Sequence, residues 1–504
     1  LRPASGAPIA IVRIDAIGAT SELHDLLTDA VKDLGYERST VILAATHTHS
    51  APAVMGCLGV DADKVYPEFL HRQIVRAITL AAKDLKPAKA GWAVTHAPKH
   101  TYNRRWILRS DKVRNDPFGD PTVRANMHPG YQHPDFIGPS GPVDDSLTML
   151  SVRTADDKPL CVFANFSMHY FGSPACSSDY FGPFCEKLSK KVGGGLSIMS
   201  QGTSGDLMWM DYGSPEKKIT LDQYAGELAD IAFAEFQKIE YKTDVPLKMK
   251  ETKLTLKRRV PDAARLKWAR ERLAALQGKK IAEQADIYAR EAIFLNEQPE
   301  RELKLQVVVV GKGGICAIPN EVFAITGLGL KVHGGLSSMS SMSSMIVIEL
   351  ANGAEGYIPP PQQHDLGGYT TWPARTAALE RLAEPAIVKS LRDSIRSLGK
   401  PLTKLTSNGF HAIPDPDVMK TIAVWSFDER GGQLAYSAMN LHDTSGAYEP
   451  GVACGLPGRF HHCVHFAGGR MKANLNDLGP TYTAEFWLWN GFPTNVRPVT
   501  GYMF

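Results

Sequence analysis

The stretch Val41-Ile-Leu-Ala-Ala-Thr-His-Thr-His-Ser-Ala-Pro52 constrains this chain most. Val41 to Ala45 form a short apolar run, which predicts a buried strand. The run ends in Thr46-His47-Thr48-His49, and in an extended chain residues two apart share a face. His47 and His49 would therefore stand side by side at a strand's C-terminal end, where α/β proteins build their sites. The Ser-Ala-Pro that follows stops the strand. One imidazole suits a metal while its neighbour holds substrate. The spacing alone also allows a hydrogen-bonded histidine pair without chemistry.

The surrounding chain alternates. Residues 9–14 predict a strand, and 22–34 a helix after a Thr20-Ser21 cap. A helix over 67–85 and a strand over 92–97 follow the His47 strand. Strand, helix, strand, helix predicts a layered α/β domain. Residues 147–152 and 160–166 predict two strands, the second delivering Ser167-Met168-His169 at its end. A strand over 196–199 ends in Ser200-Gln-Gly-Thr-Ser-Gly-Asp206, a turn whose backbone N–H groups can approach a ligand. A hairpin of 305–310 and 315–318 leads into Pro319-Asn320-Glu321 and a short helix. There a carboxylate either enters a cleft or caps the helix. A strand over 346–350 precedes Tyr357, Tyr369 lies on the next loop, and 376–398 predict a helix. Residues 107–141 read as a long surface loop. Residues 262–297 read as a charged helical hairpin on the surface, broken near Gly278, and the Ser-Ser-Met repeats of 337–345 as a low-complexity loop.

With 504 residues, two or three domains are expected. A net charge of +3 argues against a nucleic-acid partner, and no window is long and apolar enough for a transmembrane helix. The seven cysteines contain no CxxC. Cys176/Cys185 and Cys454/Cys463 are near enough in sequence to pair, although free thiols are the commoner case. The chain begins at Leu1 rather than Met, so any leader has been removed or left out. Pro-rich residues 401–417 read as a linker. Beyond them, short aromatic and Gly-rich segments predict an all-β sandwich. His128, His133, His461 and His462 receive no role.

These motifs together resemble the neutral/alkaline (non-lysosomal) ceramidase family of zinc amidohydrolases. Thr46-His-Thr-His-Ser50 is similar to its Thr-His-Thr-His-Ser-Gly-Pro motif, Asn103-Arg104 to its Asn-Arg pair, and Phe166-Ser-Met-His169 to its Phe-Ala-x-His. Ile318-Pro-Asn-Glu321 resembles Val-Pro-Gly-Glu, and residues 352–357 resemble Asn-x-Tyr-Thr-His-Tyr. Tyr369 falls on a further family tyrosine. The resemblance implies that His47, His169, Glu321 and Tyr357 ligate Zn²⁺, and that His49, Arg104 and Tyr369 hold the substrate carbonyl and its oxyanion. Neutral imidazoles and a carboxylate suit zinc, and a cation with two donors suits a growing oxyanion. Three departures stand out. Gly202 aligns with the family's serine, so Gly202, Thr203, Ser204 and Asp206 are expected to line the substrate site without that nucleophile. The glycines after the His-Thr-His motif are absent, which implies a pocket for a smaller or more polar substrate. The family's opening strands are missing before Ile9, which suggests a fragment. The tail resembles a laminin-G-like, concanavalin-type jelly roll, through Val424-Trp-Ser-Phe-Asp-Glu429, Leu456-Pro-Gly-Arg459 and Ala484-Glu-Phe-Trp487.

The expected architecture is thus a layered, mixed-sheet α/β zinc hydrolase domain over 1–400, the linker at 401–417, and a partial jelly-roll sandwich over 418–504. The expected function is hydrolysis of an amide or ester bond by metal-activated water, on a small-molecule or lipid substrate, in a secreted or periplasmic protein. Two alternatives accompany it. One is a zinc hydrolase acting on a carbohydrate or other polar substrate. The other is a glycan-binding or adhesion protein on a degenerate scaffold, with the C-terminal domain touching the glycan.

Overall fold

In the computed structural model, residues 1–3, 6–174, 176–243, 245–333 and 344–398 are described, together with short stretches between 425 and 473. Three parallel strand pairs organise it. Ala10–Ile14 pairs with Val41–Ala45, Pro159–Phe166 with Leu196–Gln201, and Gly313–Ala317 with Met345–Ile348. The second pair continues antiparallel through Ser146–Thr154 to Ala88–His96, and the third through Glu300–Val310 to Leu247–Lys257.

The two-residue period of these strands sorts their side chains into layers. Ile42, Ala44, Leu150, Phe163, Val308, Ile315, Ala317, Ile346 and Ile348 meet in one apolar cluster between the sheets. Trp92 joins it, and its indole N–H donates to the Val310 carbonyl at 2.9 Å. The alternate residues face outward onto helices. Met149, Val162, Ala164 and Phe166 pack with the helices Phe181–Lys191 and Leu221–Phe236. Val41, Leu43 and Ala45 pack with Ser21–Val31 and Tyr66–Lys83. Leu305, Val307, Cys316 and Val347 pack with Ala383–Leu398. The result is helices outside and sheets face to face within, a mixed α/β arrangement. All of Val41–Ala45 is buried, as its unbroken apolarity predicts.

Several expectations change. The 107–141 segment is not bare loop: it holds Ala125–Met127 and Phe136–Pro139, both paired to Arg105–Leu108. The 376–398 helix starts only at Ala383. Before it, the Thr376 carbonyl is taken by Tyr357 N and the Ala378 carbonyl by Arg259 N, so that backbone serves neighbouring strands. The helical hairpin is present, as Ala263–Ala275 and Gln284–Glu297, but its second helix buries Asp286, Tyr288, Glu291 and Leu295 instead of facing solvent. Cys176 and Cys185 are free thiols. The Ser-Ser-Met loop falls almost wholly outside the described residues, as do the linker and most of the jelly-roll cues. What is described of the tail is two small antiparallel sheets, such as Val452–Pro457 with His462–Phe466. No described helix is long and apolar enough to cross a membrane.

Candidate metal centre

Each of these three pairs sends a candidate ligand from the C-terminal side of one of its strands. His47 follows Val41–Ala45, His169 follows Pro159–Phe166, and Glu321 is the fourth residue after Gly313–Ala317. The strand does not extend through the His-Thr-His motif. His47 lies past its end with a left-handed φ of 61°, a conformation that costs a non-glycine residue energy and clusters at functional sites. His47 and His49 still converge, with their Nε2 atoms 3.2 Å apart. His49 is exposed and stacks on Tyr170 at 3.9 Å between ring centres.

His47, His49 and His169 each offer a ring nitrogen within 4.8 Å of the others, a group able to hold a metal ion. Glu321 Oε2 lies 3.5 Å from His47 Nε2 and 3.6 Å from His169 Nε2. That oxygen is buried and has no hydrogen-bond partner. The ring tautomers follow from backbone carbonyls, which only accept. His47 Nδ1 donates to Ile17 O at 2.6 Å, and His169 Nδ1 donates to Ser204 O at 3.2 Å. Both Nε2 atoms are therefore unprotonated, and each lies within 3.6 Å of Glu321 Oε2. Two neutral imidazoles beside an orphaned carboxylate oxygen, with the His49 ring next to them, fit a borderline-soft divalent cation.

Loss of water around the rings, fullest at the buried His47 and His169, keeps the histidines neutral. It pushes His47 down to about 4, and desolvation, then His47 and Arg104, push His49 down to about 2. His169 is held well below the usual range by burial and by Arg104. Burial also raises Glu321 to about 7, against the opposing pull of the Tyr357 hydroxyl and Arg104.

Tyr357 reaches Glu321 through register. Glu321 and Tyr357 are direct partners in a two-residue parallel ladder, and the phenol hydrogen-bonds the carboxylate. Gly356 makes this ladder feasible: its φ is 73°, and a Cβ there would lie 2.2 Å from the Thr376 carbonyl carbon. Arg104 is buried beside them. Its Nη2 donates to Tyr357 Oη at 3.0 Å and Gly205 O at 2.9 Å and lies 3.2 Å from His169 Nε2, while Nε has no partner. Tyr369 packs edge-on against Tyr357, 5.6 Å between ring centres. Its loop is tied down by Arg105, which donates to Gln363 Oε1 at 2.8 Å and to Gly367 O.

The structure thus brings together His47, His49, His169, Glu321, Arg104, Tyr357 and Tyr369. It sets Gly202, Thr203, Ser204 and Asp206 behind them, all buried. Asp206 accepts from Asn103 Nδ2 at 2.9 Å and Ala324 N at 2.8 Å, and the Ser204 hydroxyl pairs with Glu349 at 2.6 Å. Glu349 was not singled out in the sequence; a lone acid directly after the apolar strand Met345–Ile348 is the signal it carries. His128, left without a role, pairs with the Tyr212 hydroxyl at 2.6 Å. A recess of about 290 Å³ opens at His49, lined by Ser50, Ala51, Pro52, Ser173, Pro174 and Cys176.

Among solved structures, a neutral ceramidase from Pseudomonas aeruginosa superimposes with a TM-score of 0.55 at 16% identity, covering 78% of this chain and 67% of that one. The fold is that of the neutral ceramidases. A second structure, a ceramidase complexed with C2, matches with a TM-score of 0.54 at 16% identity over 78% of this chain and 68% of the other. No family model and no curated protein matches the sequence. At this identity the neutral ceramidase likeness speaks to fold alone.

Proposed function

We propose that this protein is a zinc-dependent hydrolase of an amide or ester bond. One observation carries the reading: two unprotonated imidazole nitrogens lie within 3.6 Å of an unpartnered, buried carboxylate oxygen, with a third imidazole 3.2 Å from one of them. His47, His169 and Glu321 would hold the ion. Bound there, zinc would lower the pKa of a water to roughly 7 and polarise a carbonyl. Tyr357, implied as a fourth ligand by the resemblance, serves here to hold the Glu321 carboxylate and the Arg104 guanidinium in place.

His49 faces the recess as a neutral hydrogen-bond donor for the entering carbonyl. Arg104 keeps a fixed positive charge beside the ligands and retains an unused Nε–H for a developing oxyanion. Tyr369 adds a phenol at the far side of Tyr357. The Gly202–Asp206 turn, whose side chains are committed inward, shapes the wall and holds His169.

An N-acyl lipid is the substrate class suggested by the neighbours' name. The small, partly polar lining of the recess supports a second reading, a carbohydrate or other polar substrate on the same metal chemistry. Secretion or periplasmic residence belongs to the same proposal.

The test is metal analysis of the purified chain and of His47→Ala, His169→Ala and Glu321→Ala. One zinc per chain is expected in the parent, with loss in each variant. Full zinc occupancy in all three would remove the proposal. A screen over N-acyl lipids, esters and glycosides then separates the two substrate readings.

A further inference from the structure

Below the ligands, one carboxyl joins two of the loops that carry them. Glu349 is fully buried. Its Oε1 lies 2.6 Å from Ser204 Oγ, and its Oε2 accepts from Ser204 N at 3.2 Å and from Val322 N at 2.7 Å. Ser204 supplies the carbonyl that receives the His169 Nδ1 proton, and Val322 adjoins Glu321. Gln201 closes the set: its Nε2 donates to Ser204 Oγ at 3.0 Å and to the His169 carbonyl at 2.9 Å.

We propose that Glu349 is a positioning residue of the metal centre: its carboxyl seats the Ser204 carbonyl that orients His169 and, at the same time, the backbone that carries Glu321. The inference rests on the metal reading above. A hydrogen bond to the distal nitrogen of a ligating histidine fixes its tautomer and its direction. A single group bonded to both loops also fixes the distance between the two ligands. Without Glu349, the Val322 and Ser204 amides lose their acceptor in a region closed to water, and the two loops are free to part.

Glu349→Gln keeps an acceptor for the amides and presents an N–H to Ser204 Oγ. Glu349→Ala removes all three bonds, and Glu349→Asp, shorter by one methylene, cannot span both loops. Two readouts apply to the full chain. In chelator competition the Ala and Asp variants should bind zinc roughly 10–100-fold more weakly, with Gln close to the parent. In the metal-free protein, the ¹⁵N signals of the His169 ring should report the Nδ1–H tautomer in the parent and in Gln, and a mixture in Ala and Asp. The Asp variant serves if Ala does not fold. A folded Ala or Asp variant with the parent's zinc affinity, or with an unchanged His169 tautomer, overturns the proposal. If the parent itself binds no zinc, the metal reading falls, and the tautomer measurement alone decides whether Glu349 sets His169.

Discussion

Gly202 shows how one side chain's absence is enforced by its neighbours. A Cβ there would lie 2.4 Å from Ser167 Oγ, 2.9 Å from Ser167 N and 3.0 Å from the Phe166 carbonyl carbon. Two of those three atoms belong to a backbone that leads directly to His169. Gly202→Ser therefore should not recreate a nucleophile; it should overpack the turn at a cost of about 1–3 kcal/mol. Chemical denaturation gives the loss, and ceramide cleavage gained by a variant of undiminished stability would contradict it. Glu321 makes a separate residue-scale prediction. Its carboxyl is raised to about 7 while His47 lies near 4 and His169 well below its usual range, so between about pH 5 and 7 only Glu321 holds a proton that a metal must displace. Protons compete with the ion, so the apparent zinc affinity should fall as pH drops through 7, by roughly tenfold per unit for one displaced proton. A flat profile across that window in competition titrations would mean that Glu321 is not a ligand.

At the scale of elements, the helical pair Ala263–Ala275 and Gln284–Glu297 is more than a surface ornament on the Leu247–Lys257 and Glu300–Val310 strands it interrupts. Glu291 is fully buried and accepts from Arg375 Nη2 at 2.7 Å, Arg375 Nε at 2.8 Å, Arg375 N at 3.0 Å and Leu58 N at 3.2 Å. It thereby ties the second helix to the loop after the His-Thr-His motif and to the stretch after Tyr369. Glu291→Ala leaves Arg375 and two amides unanswered and should cost about 3 kcal/mol, the low end for a broken buried pair because Arg375 is partly exposed. A urea midpoint unchanged from the parent would refute this. The same elements explain what the sequence made legible. The strand Val41–Ala45, the Thr20 cap and the strand ends before His169 and Glu321 are readable because apolar runs stop at polar, ligand-type residues. Leu247–Lys257 is not, because it is an edge strand whose lysines alternate with half-exposed leucine, methionine and threonine. Glu291 looks like any other acid until its partner 84 residues away is brought to it, and Glu349, though marked by the apolar strand before it, shows its role only through a partner 145 residues away. Which histidines meet is therefore readable from motifs, whereas what holds them is written in contacts of long sequence separation.

At the scale of the whole molecule, the three candidate ligands follow strands of three parallel pairs, and those pairs meet through the apolar cluster between the sheets and through a few hydrogen bonds, such as Asn352 N to Leu43 O at 2.8 Å and Asn165 Nδ2 to Val347 O at 3.3 Å. Apolar contact is non-directional and does not fix the angle at which three loops present their side chains. The Glu349 bonds hold two of those loops, and a bound ion ties all three, because it rewards only the arrangement in which all three side chains meet. Its binding energy to the native state alone adds to stability as RT ln(1 + [L]/Kd), about 4 kcal/mol at a thousandfold excess over Kd. Treating the protein with EDTA should therefore lower its thermal midpoint, and restoring zinc should raise it again. His169→Ala should start low and show a much smaller response to either. The metal-free protein should also exchange amide hydrogens faster at 46–49, 167–169 and 320–322 than the loaded one, while Ile346 and Val308, at the centre of the sheets, stay protected in both. Equal midpoints with and without zinc, and equal exchange at the three strand ends, would mean that the convergence is held by the polypeptide alone and that the cluster of imidazoles is structural.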